Sequence, residues 1–478
     1  MIALRPIALG LALGLASGAA VSDTLKDIYE LAVKNDAKLK AAEATYRANV
    51  ETEAQARSRL LPQIQGEGSY SKTDTEQSGF SASGSSLSTS VIPRQKIDAD
   101  IDTTLWGVSL SQQLFDLPAW FSFKSGKEIS KQAEAQLAYD QQDLITRVAQ
   151  AYFNVLRAWD NLQASKAEEL ATKRQLEQTQ QRFDVGLIAI TEVHEARAAF
   201  DATVAQRLTD EGNLASSYEA LTTLTGQDHS NLWRLNKDFP VAGPEPAERG
   251  EWVRFALDNN YALKAALYGM EAARQNASSK RAEHLPKVTG SLSYQDQQAD
   301  GDQDINLIGI GDFDVPGDAD TTTKAAMVKL TVPIFTGGYV SSARRQAYEQ
   351  YNAALQQRID TERTVVQNTR AQHIAVSTDA QRVKARAQAI VSAQSALDAT
   401  TAGYEVGTRN IVDVLNAQRT LFASQRDYAN ARYDYVLDML RLKQQAGTLS
   451  PEDINALNQW LVTPEAPTAN TYRDFQAN

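Results

Sequence analysis

Residues 182–193 read RFDVGLIAITEV, and residues 403–414 read GYEVGTRNIVDV, so one turn-forming pattern recurs 221 positions later. A second pair of segments repeats in the same order. Residues 60–70 (LLPQIQGEGSY) match residues 284–294 (HLPKVTGSLSY) at an offset of 224. Collinear matches at nearly one offset are typical of an internal duplication.

A third pair of segments supports the duplication. Residues 106–115 (WGVSLSQQLF) match residues 326–335 (AMVKLTVPIF) at an offset of 220. The chain is therefore predicted to consist of two tandem structural repeats, 21–248 and 249–447, followed by a tail at 448–478.

Each repeat is predicted to begin with a helix and to continue into a β-hairpin. The helices cover about 24–59 and 250–283, where apolar residues recur at helical spacing. A proline ends each helix, and the hairpins follow at 62–115 and 286–335, because apolar and polar residues then alternate with a period of two.

The strands of these hairpins are predicted to be about ten residues long, the length that a tilted strand needs to cross a bilayer. Polar loops are predicted at 75–102 and 296–322. The alternative is a small soluble hairpin with one face on a core. Four strands cannot close a barrel by themselves, whereas three chains would supply twelve strands.

Two long helices are predicted from runs that contain neither glycine nor proline, residues 127–185 and 339–402. At about 1.5 Å per residue, each run would form a rod of roughly 90–100 Å. Apolar and small residues follow coiled-coil spacing within them. Each long helix is predicted to turn at a Val-Gly pair into a shorter return helix, giving helical hairpins over 118–224 and 339–446.

The composition excludes several classes of function. The chain has 478 residues with 48 Lys+Arg and 59 Asp+Glu, a net charge of −11, which argues against nucleic acid as a partner. It contains no cysteine, and no two of its four histidines lie at metal-ligand spacing. No Gly-rich phosphate loop or nucleophile motif is present, so neither an enzyme nor a bound cofactor or metal is expected.

Residues 1–20, MIALRPIALGLALGLASGAA, have a basic start, an apolar centre and a small-residue end. This pattern predicts a secretory signal peptide that is cut near Ala20. An exported chain without cysteine fits a periplasmic or outer-membrane protein of a Gram-negative bacterium.

Several segments resemble the TolC family of outer-membrane exit ducts. They are the two Val-Gly turns, AYFNVLRAWD (151–160), VSAQSALDAT (391–400) and the LLP and HLP strand starts. The resemblance covers about 22–460. It implies an α+β membrane protein that forms a homotrimer, with a twelve-stranded β-barrel in the outer membrane and an α-helical barrel in the periplasm.

The resemblance also implies partners and a function. Ducts of this family passively conduct drugs, other small molecules or proteins, in tripartite efflux pumps and type I secretion systems. The expected partners are a periplasmic membrane-fusion adaptor, an inner-membrane transporter of the RND, ABC or MFS class, and outer-membrane lipid. An equatorial segment would follow the first helical hairpin, and the tail at 448–478 would begin with its counterpart.

The resemblance assigns a gate to polar residues near the two turns. In this family, bonds between helical hairpins hold the periplasmic end shut and an iris-like movement opens it. The matching positions are Gln175, Thr191, Glu192, Tyr404 and Arg409. The family commonly has Asp where this chain has Glu192, and Arg409 with Glu192 would form a charge-assisted pair.

Two further sets of residues carry over from the family. Asp413 matches the first acidic ring at the aperture, and Asn416 stands where relatives carry a second Asp. These two residues are i and i+3 on a helix and therefore share a face. The adaptor-docking tips match the turn residues Gly186, Leu187, Ile188, Gly407 and Thr408.

Aromatic residues cluster where the first hairpin meets its long helix. They are predicted to form an interfacial belt, although packing between chains would account for several of them. The cluster consists of Trp106, Phe115, Trp120, Phe121 and Phe123, with Pro118 at the junction. The competing hypothesis for the whole chain is a secreted coiled-coil adaptor or scaffold protein. Such adaptors have one helical hairpin beside lipoyl-like modules, whereas this chain has two hairpins.

Overall fold

The computed structural model describes residues 23–80, 94–307 and 311–463. The predicted signal peptide, the centre of the first strand connection and the end of the tail lie outside these residues. Within the described part, no helix is long and apolar enough to span a bilayer.

The described elements follow the same order in both halves of the chain, except that the second half also contains a strand at Gly311–Pro316 and a helix at Pro451–Asn458. The first half contains α1 Leu25–Asn35, α2 Ala37–Ser58, β1 Gln63–Phe80, β2 Arg94–Phe115, α3 Leu117–Asp184, α4 Ile190–Thr225 and β3 Arg234–Leu235. The second half contains α5 Arg249–Asn259, α6 Tyr261–Ala282, β4 Lys287–Leu307, β5 Gly311–Pro316, β6 Ala319–Thr331, α7 Tyr339–Glu405, α8 Ile411–Gln445, α9 Pro451–Asn458 and β7 Leu461–Val462.

The prediction of one helix over 24–59 is wrong, because the helix breaks at Asp36. The backbone of Asp36 is extended (φ −60°, ψ 115°), and its N–H donates to the carbonyl of Ala32 in the last turn of α1. Its carboxylate accepts from the Leu39 N–H at 2.7 Å, which caps α2. A single acidic residue thus closes one helix and opens the next.

The second copy breaks in the same way at Asn260, so the prediction of one helix over 250–283 is also wrong. Asn260 has φ −60° and ψ 122°, and its side-chain oxygen accepts from the Leu263 N–H at 3.0 Å. Asn260 lies 224 positions after Asp36, the offset that separates the LLP and HLP segments. The duplication therefore extends to helix capping.

Four strands form an antiparallel sheet in the order β1-β2-β4-β6, with β5 paired to the far end of β4. The strands β1, β2 and β4 have 18, 22 and 21 residues, so the predicted length of about ten is wrong. Much of the predicted loops 75–102 and 296–322 continues the ladder instead, as at Glu76↔Asp98 and Asp98↔Asp304. Ladder hydrogen bonds join backbone groups and do not require apolar side chains.

The hairpin predicted to extend to residue 335 stops earlier. Strand β6 ends at Thr331, two residues before Pro333. Proline has no N–H to donate to a ladder, which accounts for the shorter strand.

One face of the sheet carries an apolar band. The register places Ile64 opposite Leu110, Leu110 opposite Leu292, and Leu292 opposite Ala326. The Trp106 ring packs against the Tyr294 ring, with centroids 5.3 Å apart and ring planes tilted by 45°. Large members of the band are exposed in the single chain, Ile64 at 70% and Val328 at 71%.

The main core lies in a unit formed by residues 23–45, 135–264 and 359–463. It gathers α1, the middle of α3, the end of α4 and the second half of α8. Tyr152 and Phe153 are fully buried there, and the Tyr152 hydroxyl donates to the Trp233 carbonyl at 2.7 Å. Strands β3 and β7 pair in the same unit, which joins the segment after α4 to the start of the tail.

Candidate functional site: the ends of the helical hairpins

Both long helices end in the same backbone motif. The Leu187 N–H donates to the Arg182 carbonyl at 2.9 Å and the Gly186 N–H to Phe183 at 2.8 Å. In the second copy, the Thr408 N–H donates to the Gly403 carbonyl at 2.8 Å. Both Gly186 and Gly407 have φ +78°, a left-handed conformation that favours glycine. These glycines therefore shape two equivalent tips.

The tips are apolar and exposed. Val185 is 70% exposed and Leu187 is 69% exposed at the first tip, and Val406 is 75% exposed at the second. Of the predicted docking residues, Ile188 is half-buried, and the Thr408 hydroxyl donates to the Gly403 carbonyl at 3.0 Å. Exposed aliphatic side chains on a tight turn form a small knob that suits an apolar partner surface.

Tyr404 connects the second hairpin to the first. It is 5% exposed, and it belongs to a small cluster with Ile411, Val414 and Leu415 of α8. Its hydroxyl donates to Glu192 Oε2 of α4 at 3.4 Å. Two members of the predicted gate set therefore meet within one chain.

Two residues that the sequence did not predict lie beside Tyr404. The Arg182 guanidinium lies over the Tyr404 ring, 4.6 Å from its centroid, and Thr179 lies against its hydroxyl. Burial raises the pKa of Tyr404, and Arg182 acts in the opposite direction. The phenol therefore stays protonated at neutral pH and donates to Glu192.

Arg409 does not reach Glu192 within the chain. Its guanidinium lies 3.8 Å from Asp413 Oδ2, one turn further along. The stem of Arg409 crosses Gly403 so closely that an added Cβ there would lie 2.8 Å from Arg409 Cγ. Gly403 is therefore needed for this path of the arginine.

The other predicted gate residues have different surroundings. Thr191 is exposed. Gln175 Nε2 is buried, and it has no hydrogen-bond partner among the described residues. A buried donor without an acceptor lowers the free energy of unfolding by about 1–3 kcal/mol. The Gln175 amide group is therefore destabilising.

Asp413 and Asn416 lie on the first turns of α8. The Asn410 side chain caps this helix by accepting from the Asp413 N–H at 2.8 Å. Both side chains are accessible, with Asp413 38% exposed. The cap and the buried Ile411 fix the direction of this helix end, so the two residues keep one common face.

A duplicated unit that combines an amphipathic sheet with long helical hairpins defines a channel-forming protein of the outer membrane. The chain belongs to the Outer membrane efflux protein family, which it matches over residues 28–227 and 252–448. Members of this family are channels and not enzymes, and they act within tripartite efflux or secretion systems. The chain is accordingly an outer-membrane efflux channel that extends into the periplasm.

Individual relatives are similar over nearly their whole length. The chain is 38% identical to outer membrane protein TolC of Vibrio cholerae over 460 residues, 96% of this chain and 98% of that protein. It is 33% identical to outer membrane protein TolC of Escherichia coli over 490 residues, 99% of this chain and 94% of that protein. The solved CmeC outer membrane channel of Campylobacter jejuni has the same fold, with a TM-score of 0.70 at 19% identity, covering 92% of this chain and 90% of that one.

Proposed function

We propose that three copies of the chain assemble into one duct, with their four-stranded sheets closed into a twelve-stranded barrel. The observation that carries this proposal is the sheet order β1-β2-β4-β6, which places β1 and β6 at the two edges of the described sheet. An open edge is not tolerated in a bilayer, so edges must pair between chains. The exposed apolar band then faces lipid.

The helical hairpins of the three chains form the periplasmic wall of this duct and close it at their tips. Tyr404, with Glu192 and Arg182, holds the second hairpin of a chain against the first. Arg409 exchanges Asp413 for Glu192 across the boundary with a neighbouring chain. Opening breaks these contacts, and the duct then conducts small molecules or proteins delivered by the transporter.

The aperture is lined by Asp413 and Asn416, and the adaptor docks on the exposed tips. Three Asp413 carboxylates around one axis attract cations and repel anions. Arg409 partly neutralises the negative charge of Asp413 while the two side chains are in contact. The apolar tips at Val185, Leu187 and Val406 contact a periplasmic adaptor, which links the duct to its inner-membrane transporter.

Assembly is tested by native mass spectrometry of the detergent-purified mature protein, followed by planar-bilayer recording. We expect the mass of three chains and a small, cation-selective conductance. A monomer that stays in solution without detergent would contradict the twelve-stranded barrel. A trimer without conductance after the gate contacts are removed would contradict the duct.

A further inference from the structure

The first turns of α3 carry a stripe of one aromatic and three basic residues. Trp120, Lys124, Lys127 and Lys131 follow one another at i, i+4, i+7 and i+11, so they share one face of the helix. With Phe123 and Glu128 of the same helix and Gln275 of α6, they line a groove of about 360 Å³. This set of four residues on α3 is called the lysine stripe.

The other side of α3 is held firmly by its neighbours. The Ser125 hydroxyl donates to the Ala272 carbonyl at 2.9 Å, and the Ser279 hydroxyl donates to the Pro118 carbonyl at 2.8 Å. At Gly126, an added Cβ would lie 3.0 Å from the Thr52 carbonyl oxygen of α2. The lysine stripe is therefore presented by a helix whose position is fixed by packing.

The charge of the lysine stripe is only partly compensated. Lys131 pairs with Glu128 at 2.8 Å. Lys124 lies over the Trp120 and Phe121 rings, at 5.6 and 5.8 Å from their centroids. Among the described residues, neither Lys124 nor Lys127 pairs with a carboxylate. Two exposed positive charges beside an exposed indole suit an anionic group attached to an apolar body.

The stripe begins where the apolar sheet ends. Strand β2 stops at Phe115 and α3 starts at Leu117. Leu114, Phe115 and Trp120 are 58%, 47% and 44% exposed. In the proposed duct this junction lies at the periplasmic surface of the outer membrane, where aromatic rings sit at headgroup level and lysines reach phosphates.

The second repeat keeps part of this feature. The offset of 220 that relates the two strands places Arg344 at the position of Lys124. Arg344 is exposed near the start of α7, and the exposed Arg345 follows it. Trp120 corresponds to the buried Val340, so the aromatic partner occurs in the first repeat alone.

We propose that the lysine stripe binds the phosphate headgroup of an anionic phospholipid in the periplasmic leaflet of the outer membrane. Lys124 and Lys127 contact the phosphate, and Trp120 lies along the glycerol and the first acyl carbons. The inference rests on the proposed function, because it requires the sheet to span the bilayer. A basic groove beside a membrane-spanning segment is a common form of headgroup site.

The test is lipid retention by the detergent-purified full-length mature protein, measured by native mass spectrometry. Phosphatidylglycerol and phosphatidylcholine with identical acyl chains are added in separate titrations. We expect wild type to retain phosphatidylglycerol preferentially, and the double variant Lys124→Gln/Lys127→Gln to bind it about fivefold more weakly for each lysine removed. The matched control is Lys166→Gln/Lys173→Gln, which removes two exposed lysines from the same helix. The double variant Lys124→Arg/Lys127→Arg should retain the preference.

Three outcomes would overturn the proposal. Equal retention of both lipids by wild type would show that the headgroup is not recognised. Unchanged retention by Lys124→Gln/Lys127→Gln would place the site elsewhere. Displacement of phosphatidylglycerol by millimolar glycerol phosphate would indicate a site for free phosphate.

Flotation with pure phosphatidylcholine vesicles separates the inference from the proposed duct. If the protein inserts into these vesicles but shows no preference for phosphatidylglycerol, the headgroup site is refuted and the proposed duct is not. Failure to float with vesicles of any composition would refute both.

Discussion

Tyr404 contacts the first helical hairpin through its hydroxyl, which donates to Glu192, and through its ring, which lies under the Arg182 guanidinium. Tyr404→Phe removes the hydrogen bond to Glu192 and leaves the buried ring in place. Because one such bond contributes about 1 kcal/mol, three copies in the proposed trimer would shift the proposed gate markedly towards its open state. We expect a larger mean conductance in planar bilayers than wild type shows.

The matched control for Tyr404→Phe is Tyr348→Phe, since Tyr348 is 55% exposed and lies outside the gate. It should conduct like wild type. Equal conductance of Tyr404→Phe and wild type would show that the hydroxyl does not hold the gate.

Asp413 sets the charge of the proposed aperture. Asp413→Asn should reduce the preference for cations, whereas Asn416→Asp should increase it, because each trimer loses or gains three negative charges on one helix face. Reversal potentials in asymmetric KCl measure both changes. Glu177→Gln, at an exposed position on α3, provides the same change of charge away from the aperture. Identical reversal potentials for all variants would show that Asp413 does not line the aperture.

The residues of the proposed gate differ in how far the sequence could predict them. Tyr404 and Glu192 were assigned through resemblance, and the structure brings them together. Arg182 and Thr179 were missed because their contacts with Tyr404 cross from one hairpin to another, and no local pattern signals such a contact. The resemblance pairs Arg409 with Glu192, yet within the chain Arg409 contacts the Asp413 carboxylate one helical turn away.

Asp36 shows how one residue shapes two elements. It caps α2, and its carboxylate accepts two bonds from the Arg147 guanidinium, at 2.8 and 3.0 Å. This bidentate contact holds the pKa of the Asp36 carboxyl below its usual range. Asn260 performs the capping role in the second repeat without a charge. Asp36→Asn therefore separates the cap from the ion pair.

We expect Asp36→Asn to lower the free energy of unfolding by about 1–3 kcal/mol at pH 7, since Arg147 loses a buried partner. A carboxyl with a lowered pKa in the folded state stabilises the protein above its unfolded pKa, and this contribution is lost as the pH falls through the folded pKa. The difference between variant and wild type should therefore shrink below about pH 4. Denaturant midpoints measured across pH test this, and a difference independent of pH would contradict the ion-pair explanation.

The far end of the sheet places like charges opposite one another. Glu76, Asp98, Asp304 and Asp314 form one row across four strands. Lys96 pairs with Glu76 and Asp98, both at 2.9 Å, and so reduces the repulsion between these two carboxylates. The remaining repulsion is between the carboxylates of Asp304 and Asp314, which lie opposite each other.

Asp304→Asn should stabilise this end of the sheet by about 0.2–1 kcal/mol at low salt. Hydrogen exchange of the β4 amides near residue 304 is the measurement, and slower exchange than in wild type is expected. The effect should fade in about 1 M salt, where charges are screened beyond about 3 Å. Asp201→Asn on α4 controls for net charge, and equal protection in all three proteins would contradict the repulsion.

The elements were predictable where the sequence is periodic and glycine marks the turns. The ends of α3 and α7 follow from Gly186 and Gly407, whose left-handed backbone suits no other residue well. The strand extensions were not predictable, because the alternation of apolar and polar residues stops at about Tyr70 while the ladder continues. The helix breaks at Asp36 and Asn260 were not predictable, because Asp and Asn also occur within helices and neither residue type alone indicates a break.

At the scale of the whole molecule, the duplication gives the chain two equivalent tips. In a trimer this would provide six apolar turns at the periplasmic end of the duct. They differ in sequence, VGL at 185–187 and VGT at 406–408, so an adaptor would meet two kinds of site in alternation. The valine before each glycine is common to both and strongly exposed. These valines are therefore the best positions to test docking without disturbing assembly.

The double variant Val185→Asp/Val406→Asp should abolish export while leaving the trimer intact. Both side chains are at least 70% exposed, so their replacement removes little packing within the chain. A carboxylate at each tip must instead be buried without a partner when the adaptor docks, at a cost of several kcal/mol per site. Export of a pump substrate from cells and copurification of the adaptor measure docking, and native mass spectrometry measures the trimer. Val391→Asp, at a 57% exposed position on α7, should export normally. Normal export by the double variant would show that the adaptor contacts another part of the duct.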